Sequence, residues 1–375
     1  MSEVSRELEK EKARRIFEWF KKEKSPPFKI ELRITNRCNL HCIFCLQAKA
    51  RHCHDEIKRE LSKEKYLNIV VQAAKLGVKH CHLLGGGELM VRKDITLSIM
   101  RLVKKYGMYG SMVTNGTLFT DDDVQEIVKM EWDYITFSLD GADSETHDYL
   151  RGKKGAFKKT IETIKNFQKW KKILNMKKPK MVLNTVLTNK NYNKLIGILE
   201  LAHKFEINDT VLLPLVFLTE ECEHLKLNKN DEIKFKKSIP RLQQIAKRYG
   251  IVDNYRSLMD EEIIEKSFEV GEIIEKDMKK ETNELLAMPC FSPYVYISVR
   301  PNGVVHPCPM TPDDNIENIR EKNLKEIWYG KYFQHFRDTL RDGKLSPWCQ
   351  RCCGANVLDT RNLRELCQNL INQDN

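Results

Sequence analysis

Six short apolar or β-branched runs recur along the chain, at 28–34, 79–84, 109–114, 134–139, 181–187 and 210–216. Between them lie stretches with helical periodicity near 62–76, 93–106, 121–131, 155–173 and 191–205. A strand followed each time by a helix cannot pair with its neighbour through a tight hairpin. The rhythm therefore predicts an α/β fold with a parallel sheet and right-handed crossovers. Ser62 and Thr120 are positioned to cap helix starts, and Gly77 and Gly107 to stop helices. Periodicity alone leaves a partial barrel and an open doubly wound sheet both standing. Ahead of the first strand, residues 3–24 read as a charged helix with Ile16, Phe17 and Phe20 as its sparse apolar contacts, ended by Ser25-Pro26-Pro27. After the sixth strand, a charge-rich helical segment leads to a cysteine-bearing region that begins near Met288.

Just beyond the first strand, Cys38, Cys42 and Cys45 stand as C-x3-C-x2-C. Three thiolates this close serve one soft metal centre. A four-iron cluster usually takes four cysteines, so three leave one iron with an open position that can hold and activate a small molecule. A zinc knuckle completed by His41 or His52 is the other chemistry these residues allow, although zinc sites more often pair cysteines as C-x2-C with a second pair downstream.

At 375 residues the chain can bury a large core and form two domains. No apolar run is long enough to span a bilayer, and Met1 to Lys24 contains no apolar signal core, so a cytoplasmic protein is expected. Twelve cysteines in such a chain point to metal or catalysis before disulfides. The net charge of +11 comes from lysines spread along the chain and suits an anionic substrate. With neither an aromatic-interleaved RNA motif nor a DNA-binding helix pair, nucleic acid is not expected as a partner.

The second run ends in Leu83-Leu84-Gly85-Gly86-Gly87-Glu88, where consecutive glycines let backbone approach a ligand and the carboxylate can receive an ammonium group. The third ends in Val113-Thr114-Asn115-Gly116-Thr117 and the fourth in Ile135 to Gly141, both offering small polar side chains able to hydrogen-bond a ribose. Then come His147-Asp148-Tyr149-Leu150-Arg151-Gly152, Gly155-Ala156-Phe157 and, on the fifth run, Asn184-Thr185-Val186. Together with the triplet and Phe44 before its last cysteine, these pieces resemble the radical S-adenosylmethionine (SAM) superfamily. The resemblance implies a partial (β/α)6 TIM-type barrel, with a SAM-binding [4Fe–4S] cluster on Cys38, Cys42 and Cys45. It also implies that Gly86, Gly87 and Glu88 bind the methionyl amino group, Ser138 the ribose and Arg151 the SAM carboxylate. Asn115 and Asn184 join them near the ribose or adenine. Leu89 departs from the family, which usually has proline there.

A second cysteine set follows. Cys290 precedes a hairpin, Tyr294 to Val299 and Val304 to Cys308 around the turn Arg300-Pro301-Asn302-Gly303, and Cys349 and Cys352 form a C-x2-C pair. Four thiolates suit a complete cluster or a structural zinc. The spacings resemble the SPASM or twitch region of radical SAM enzymes. Because position 358 is Leu358, the shorter twitch type is implied, with one auxiliary [4Fe–4S] cluster on Cys290, Cys308, Cys349 and Cys352. Cys353 or Cys367 is an alternative ligand. The expected division is a charged helix at 1–27, the barrel at 28–227, a helical linker at 228–287 and the cluster domain at 288–375.

The resemblance implies an oxidoreductase that cleaves SAM reductively and abstracts hydrogen from a peptide or a small polar, anionic substrate, with a flavodoxin or ferredoxin as electron donor. Fewer than 30 residues precede the first run, less than the leader-peptide-binding domain of many peptide-modifying relatives. Cys222, just past the sixth run, is a candidate hydrogen-atom donor of a radical epimerase. The segment Arg51-His52-Cys53-His54-Asp55 reads as a polar loop or a metal-binding patch. The competing reading is a zinc or iron–sulfur sensor without turnover.

Overall fold

The computed structural model describes residues 3–45, 57–215, 220–255, 270–309, 311, 317–352 and 354–374. The segment 51–55 and Cys353 lie outside them. Strands β1 (Lys29–Arg33), β2 (His80–Leu84), β3 (Tyr109–Thr114), β4 (Tyr134–Ser138), β5 (Lys180–Leu187) and β6 (Thr210–Pro214) are parallel and lie side by side in sequence order. This order decides what periodicity left open. A doubly wound sheet needs a point where the strand order reverses, and here none occurs from β1 to β6. Right-handed crossovers wound in one direction place their helices on one face. The result is a partial barrel.

The crossovers are α2 (Lys63–Leu76), α3 (Lys93–Lys105), α4 (Asp121–Lys129), α5 (Ser144–Arg151), α6 (Ala156–Ile173) and α7 (Leu195–Lys204). The Ser62 hydroxyl accepts from Lys65 N, Thr120 closes a capping box with Asp123, and Gly77 ends α2 at φ +93°. α7 begins later than the periodicity predicts, because Thr188 N donates to Asn191 Oδ1 (2.8 Å) and holds that segment in a turn. α5 was not expected from periodicity, yet Asp143 caps its start and Gly152 ends it at φ +61°.

Alternate strand residues divide the sheet. Ile30, Leu32, Cys81, Leu83, Met112, Ile135 and Phe137 are fully buried against the helices. The opposite, concave face carries Lys29, Glu31, Arg33, His80, His82, Ser111 and Tyr134. Barrel interiors of this kind are ordinarily filled by branched apolar side chains, so the polar lumen is a departure.

The hairpin forms as β7 (Tyr296–Val299) and β8 (Val305–His306), but it does not stand apart. β7 pairs in parallel with β1, so one eight-stranded sheet runs across the expected boundary at 288. The expected linker contains α8 (Lys229–Tyr249) and α9 (Val270–Met278), and the C-terminal region continues with α10 (Leu324–Trp328), α11 (Lys331–Arg341) and α12 (Gly354–Asp374). The N-terminal helix α1 (Glu3–Phe20) packs along α12, with Lys12 bonded to Asp359 and Lys21 to Asp374. Arg337 of α11 ties α1 to α10 and to the segment before β7: its guanidinium lies 4.1 Å from the Trp19 ring and 4.2 Å from Trp328, and donates to the carbonyls of Pro293 and Trp328. Among the described residues no helix is long and apolar enough to cross a membrane.

Candidate functional site

The cysteine triplet lies on the loop that leaves β1, and three strand or helix ends hold that loop in place. From β2, Gly87 N donates to Thr35 O (2.9 Å) and Glu88 N to Arg37 O (2.8 Å). From β3, Asn115 Nδ2 donates to Asn39 Oδ1 (3.0 Å), and Asn39 Nδ2 in turn donates to Thr117 Oγ1 (2.8 Å). From α5, the Arg151 and Leu150 carbonyls accept from His41 N and Ile43 N, and Lys153 Nζ reaches Asn39 O at 2.8 Å. The motifs read separately along the sequence therefore surround one loop.

The glycines are explained by this closeness. A Cβ on Gly86 would stand 2.2 Å from Asn36 Oδ1, one on Gly87 1.9 Å from Arg37 O, and one on Gly152 2.1 Å from His41 O. At Gly87 and Gly152 the neighbour is backbone, so no side chain fits there. Glu88 is buried, and its carboxylate accepts from Thr114 Oγ1 (2.7 Å) and Asn115 N (2.7 Å), bracing β2 against β3. Burial raises its pKa despite these bonds. Glu60, which carries no motif and escaped the sequence reading, accepts from both Thr35 Oγ1 (2.6 Å) and Asn36 N (2.9 Å) and meets Arg92 and Arg37 at 3.5 Å each.

Arg151 reaches the triplet itself. Its Nη1 donates to Cys42 Sγ at 3.7 Å, its guanidinium lies 5.5 Å from the Phe44 ring centroid, and Nε pairs with the fully buried Asp140 at 2.6 Å. Burial opposes the arginine's charge, and Asp140 and Cys42 more than offset it. Ser138, the last residue of β4, and Asn184, within β5, are cross-strand partners in register. Asn184 Oδ1 is buried without a hydrogen-bond partner among the described residues. An unmet buried acceptor of this kind fits a ligand hydroxyl or amino group. Cys222 is buried, with its thiol donating to Ile43 O (3.7 Å) inside the triplet loop.

Far along the chain, Cys290, Cys308, Cys349 and Cys352 line one pocket, completed by Ile274, Pro289, Leu345, Trp348, Val357 and Thr360. Four cysteines from three separated segments thus meet where their spacing implied. Ile274 comes from α9, in the segment that the sequence left without a role. Cys367 does not belong here; it is fully buried in the junction of α1 with α12. Among the described residues no three His, Cys, Asp or Glu side chains stand close enough to hold a single ion. The four thiols ring a space, as a multi-iron cluster requires.

Burial pushes the thiols of Cys42 and Cys290 up, and that of Cys349 to about 11. Thiolates at both places need a compensating positive charge, and a bound metal supplies it. The donor sets, the glycine cradle and the unmet Asn184 oxygen fit a three-cysteine cluster with SAM beside it, and a four-cysteine cluster in the C-terminal pocket.

Comparison with known proteins agrees with this geometry. A family model described as the radical SAM superfamily matches residues 32–202, and one described as an iron–sulfur cluster-binding domain, SPASM, matches 290–353. The PqqA peptide cyclase of Rhizobium meliloti (strain 1021) is 25% identical over 332 residues, covering 87% of this chain and 80% of that protein. The AdoMet-dependent heme synthase of Methanosarcina barkeri (strain Fusaro / DSM 804) is 25% identical over 319 residues, covering 83% and 85%. The crystal structure of Streptococcus suis SuiB shares the fold with a TM-score of 0.63 at 19% identity, over 84% of this chain and 68% of that one.

Proposed function

Because the chain belongs to the radical SAM superfamily and ends in an iron–sulfur cluster-binding domain of the SPASM type, we propose that it is an oxidoreductase that cleaves SAM reductively and removes a hydrogen atom from a peptide or a small polar, anionic substrate. The observation that carries this reading is the convergence of the Gly86–Glu88, Asn115 and Arg151 segments on the loop of Cys38, Cys42 and Cys45. When bound, the cluster and SAM supply an electron, a bond cleavage and a 5′-deoxyadenosyl radical. The protein's own residues bind and orient. Cys38, Cys42 and Cys45 would hold three irons and leave the fourth open. The Gly86–Glu88 backbone, held by the Glu88 brace, receives the ammonium group; Arg151, with its charge sustained by Asp140, receives the carboxylate. Ser138 and Asn184 take the ribose and adenine. Cys290, Cys308, Cys349 and Cys352 would hold one auxiliary [4Fe–4S] cluster that accepts an electron as the substrate is oxidised.

The names of the relatives point to different molecules, a peptide for the PqqA cyclase and haem for the Methanosarcina barkeri synthase. The polar lumen favours a polar substrate in either case. A second reading, a radical epimerase in which Cys222 returns a hydrogen atom, is favoured by the contact of that thiol with the triplet loop. Replacing Cys222 with alanine separates the two: an epimerase stalls with an unquenched substrate radical, whereas an oxidase turns over unchanged.

Oxygen-free reconstitution tests the main reading. The enzyme should bind about eight irons in two four-iron clusters and, after reduction by dithionite or flavodoxin, release 5′-deoxyadenosine from SAM. A protein that takes up zinc and releases no nucleoside is a sensor and not this enzyme.

A further inference from the structure

The C-terminal pocket does more than collect four thiols, because hydrogen-bond donors from two segments meet on one of them. Cys290 Sγ accepts from Ser292 N (3.4 Å), two residues on in the same turn, and the side chains of Ser292 and Thr360 also hydrogen-bond to it. Thr360 is buried and lines the pocket beside Val357. Both come from α12, where Val357, Thr360, Arg361 and Arg364 recur at the three- and four-residue spacing of one helix face.

The rest of that face fastens the helix to the pocket. Arg364 is buried and donates to the carbonyls of Leu286 (2.8 Å) and Met288 (2.9 Å), on the stretch that leads into Cys290. Asp277 of α9 pairs with Arg361 (2.6 Å) and Arg364 (3.6 Å), one helical turn from Ile274 in the pocket wall. Thr360 is thus carried by a helix face anchored to the segments that supply both Cys290 and Ile274.

Reducing an iron–sulfur cluster adds a negative charge that its sulfurs share. The walls formed by Ile274, Leu345, Trp348 and Val357 disfavour that charge, whereas N–H and O–H donors on a ligand sulfur favour it. In surroundings of low polarity each such bond counts for more than it does in water. The donors on Cys290 therefore oppose the effect of the wall.

We propose that Thr360 and Ser292 set the reduction potential of the auxiliary cluster, raising it through their hydrogen bonds to Cys290 so that it can accept an electron from a substrate radical; this rests on the radical SAM reading above. The couple moves one electron. A carbon radical beside an O–H or N–H group gives it up, releases that proton to solvent and closes a C=O or C=N bond. Thr360 and Ser292 act through Cys290 and are positioning residues.

A redox titration followed by electron paramagnetic resonance on the oxygen-free holoprotein tests this without a substrate. The signal that survives in Cys42→Ala identifies the C-terminal cluster. Thr360→Val keeps the side chain's shape and removes its hydroxyl. It should make reduction of that cluster about tenfold less favourable, a downward shift of about 59 mV for one electron, and Thr360→Ser should restore the wild-type midpoint. Ser292→Ala should move the midpoint the same way by less, and it decides the matter if the valine variant does not hold its cluster. Unmoved midpoints would overturn the proposal. So would an upward shift, the sign expected when a disturbed wall admits water to the more highly charged reduced cluster. Release of 5′-deoxyadenosine by the wild type is measured alongside. Its absence sinks the radical SAM reading whatever the midpoints give, whereas its presence with unmoved midpoints sinks the tuning role alone.

Discussion

The two cysteine sites are built in opposite ways. The N-terminal triplet occupies one short loop, and polar groups pin it: backbone amides, asparagines, Glu60, Glu88 and Arg151 hold it from three sides, while its Ile43 and Phe44 pack on Leu150, Leu215 and Leu225. The C-terminal site draws its four thiols from three separated segments and walls them with Ile274, Leu345, Trp348 and Val357. One site is a local motif positioned by hydrogen bonds, open to a polar ligand. The other is a tertiary assembly whose four half-buried thiols are walled by apolar side chains. An open coordination position belongs with the first and a fully ligated electron acceptor with the second.

The largest expected effect breaks the pair cleanly. Changing Cys42 to alanine should abolish 5′-deoxyadenosine release and remove about half of the bound iron, leaving the C-terminal cluster's spectrum intact. The reciprocal change, Cys290→Ala, should remove the other half and leave SAM cleavage detectable. Loss of both clusters in either variant would show that the two sites are not independent. Next in size, Gly87→Ala forces a methyl group against the Arg37 carbonyl. It should weaken SAM binding at least tenfold in a direct titration while costing about 1–3 kcal/mol of stability; unchanged affinity would argue that the cradle does not face the ligand. Ile274→Ala should cost about 2–5 kcal/mol and speed loss of the C-terminal cluster in air, without touching the triplet cluster. Equal bleaching of both would remove the claim of apolar shielding.

The smallest effect lies in the barrel lumen. Burial alone would raise the Glu31 carboxyl, but Arg33 and His82 overrule it and hold it at about 2. A depressed acid stabilises the fold above its unfolded value and loses that contribution as pH falls toward about 2. His82, lowered to about 3, prefers the neutral form when folded, so its contribution declines as pH drops below its usual range toward about 3. Melting curves should therefore show stability eroding from mildly acidic pH downward, with the lowest part of that loss absent in Glu31→Gln. A flat profile would mean that the lumen groups are solvated.

How legible this was in the chain depended on whether the information was local. The strand 109–114 could be read to the residue because Gly107 and Asn115-Gly116 bracket it, and the Thr120 capping box lies within four residues. α5 escaped because it is short and polar, though its Asp143 cap and Gly152 stop were there to be seen. The pairing of β7 with β1 joins residues some 267 positions apart, as the Ser298–Glu31 bond does, and no periodicity encodes such a register. Glu60 gave no signal at all: a lone glutamate in a loop acquires its role only when the triplet loop folds over it. The four C-terminal cysteines were chosen by spacing, and the fold brings those four to one pocket while placing Cys367 elsewhere.

The most direct test of the account is electron paramagnetic resonance of the reduced, oxygen-free protein with and without SAM, on a Cys290→Ala background that leaves the triplet cluster alone. SAM bound at an open iron should shift the spectrum of that cluster, and the shift should vanish in the added absence of Cys42. A reduced triplet cluster whose spectrum ignores saturating SAM, or a triplet that carries only silent zinc, would contradict it.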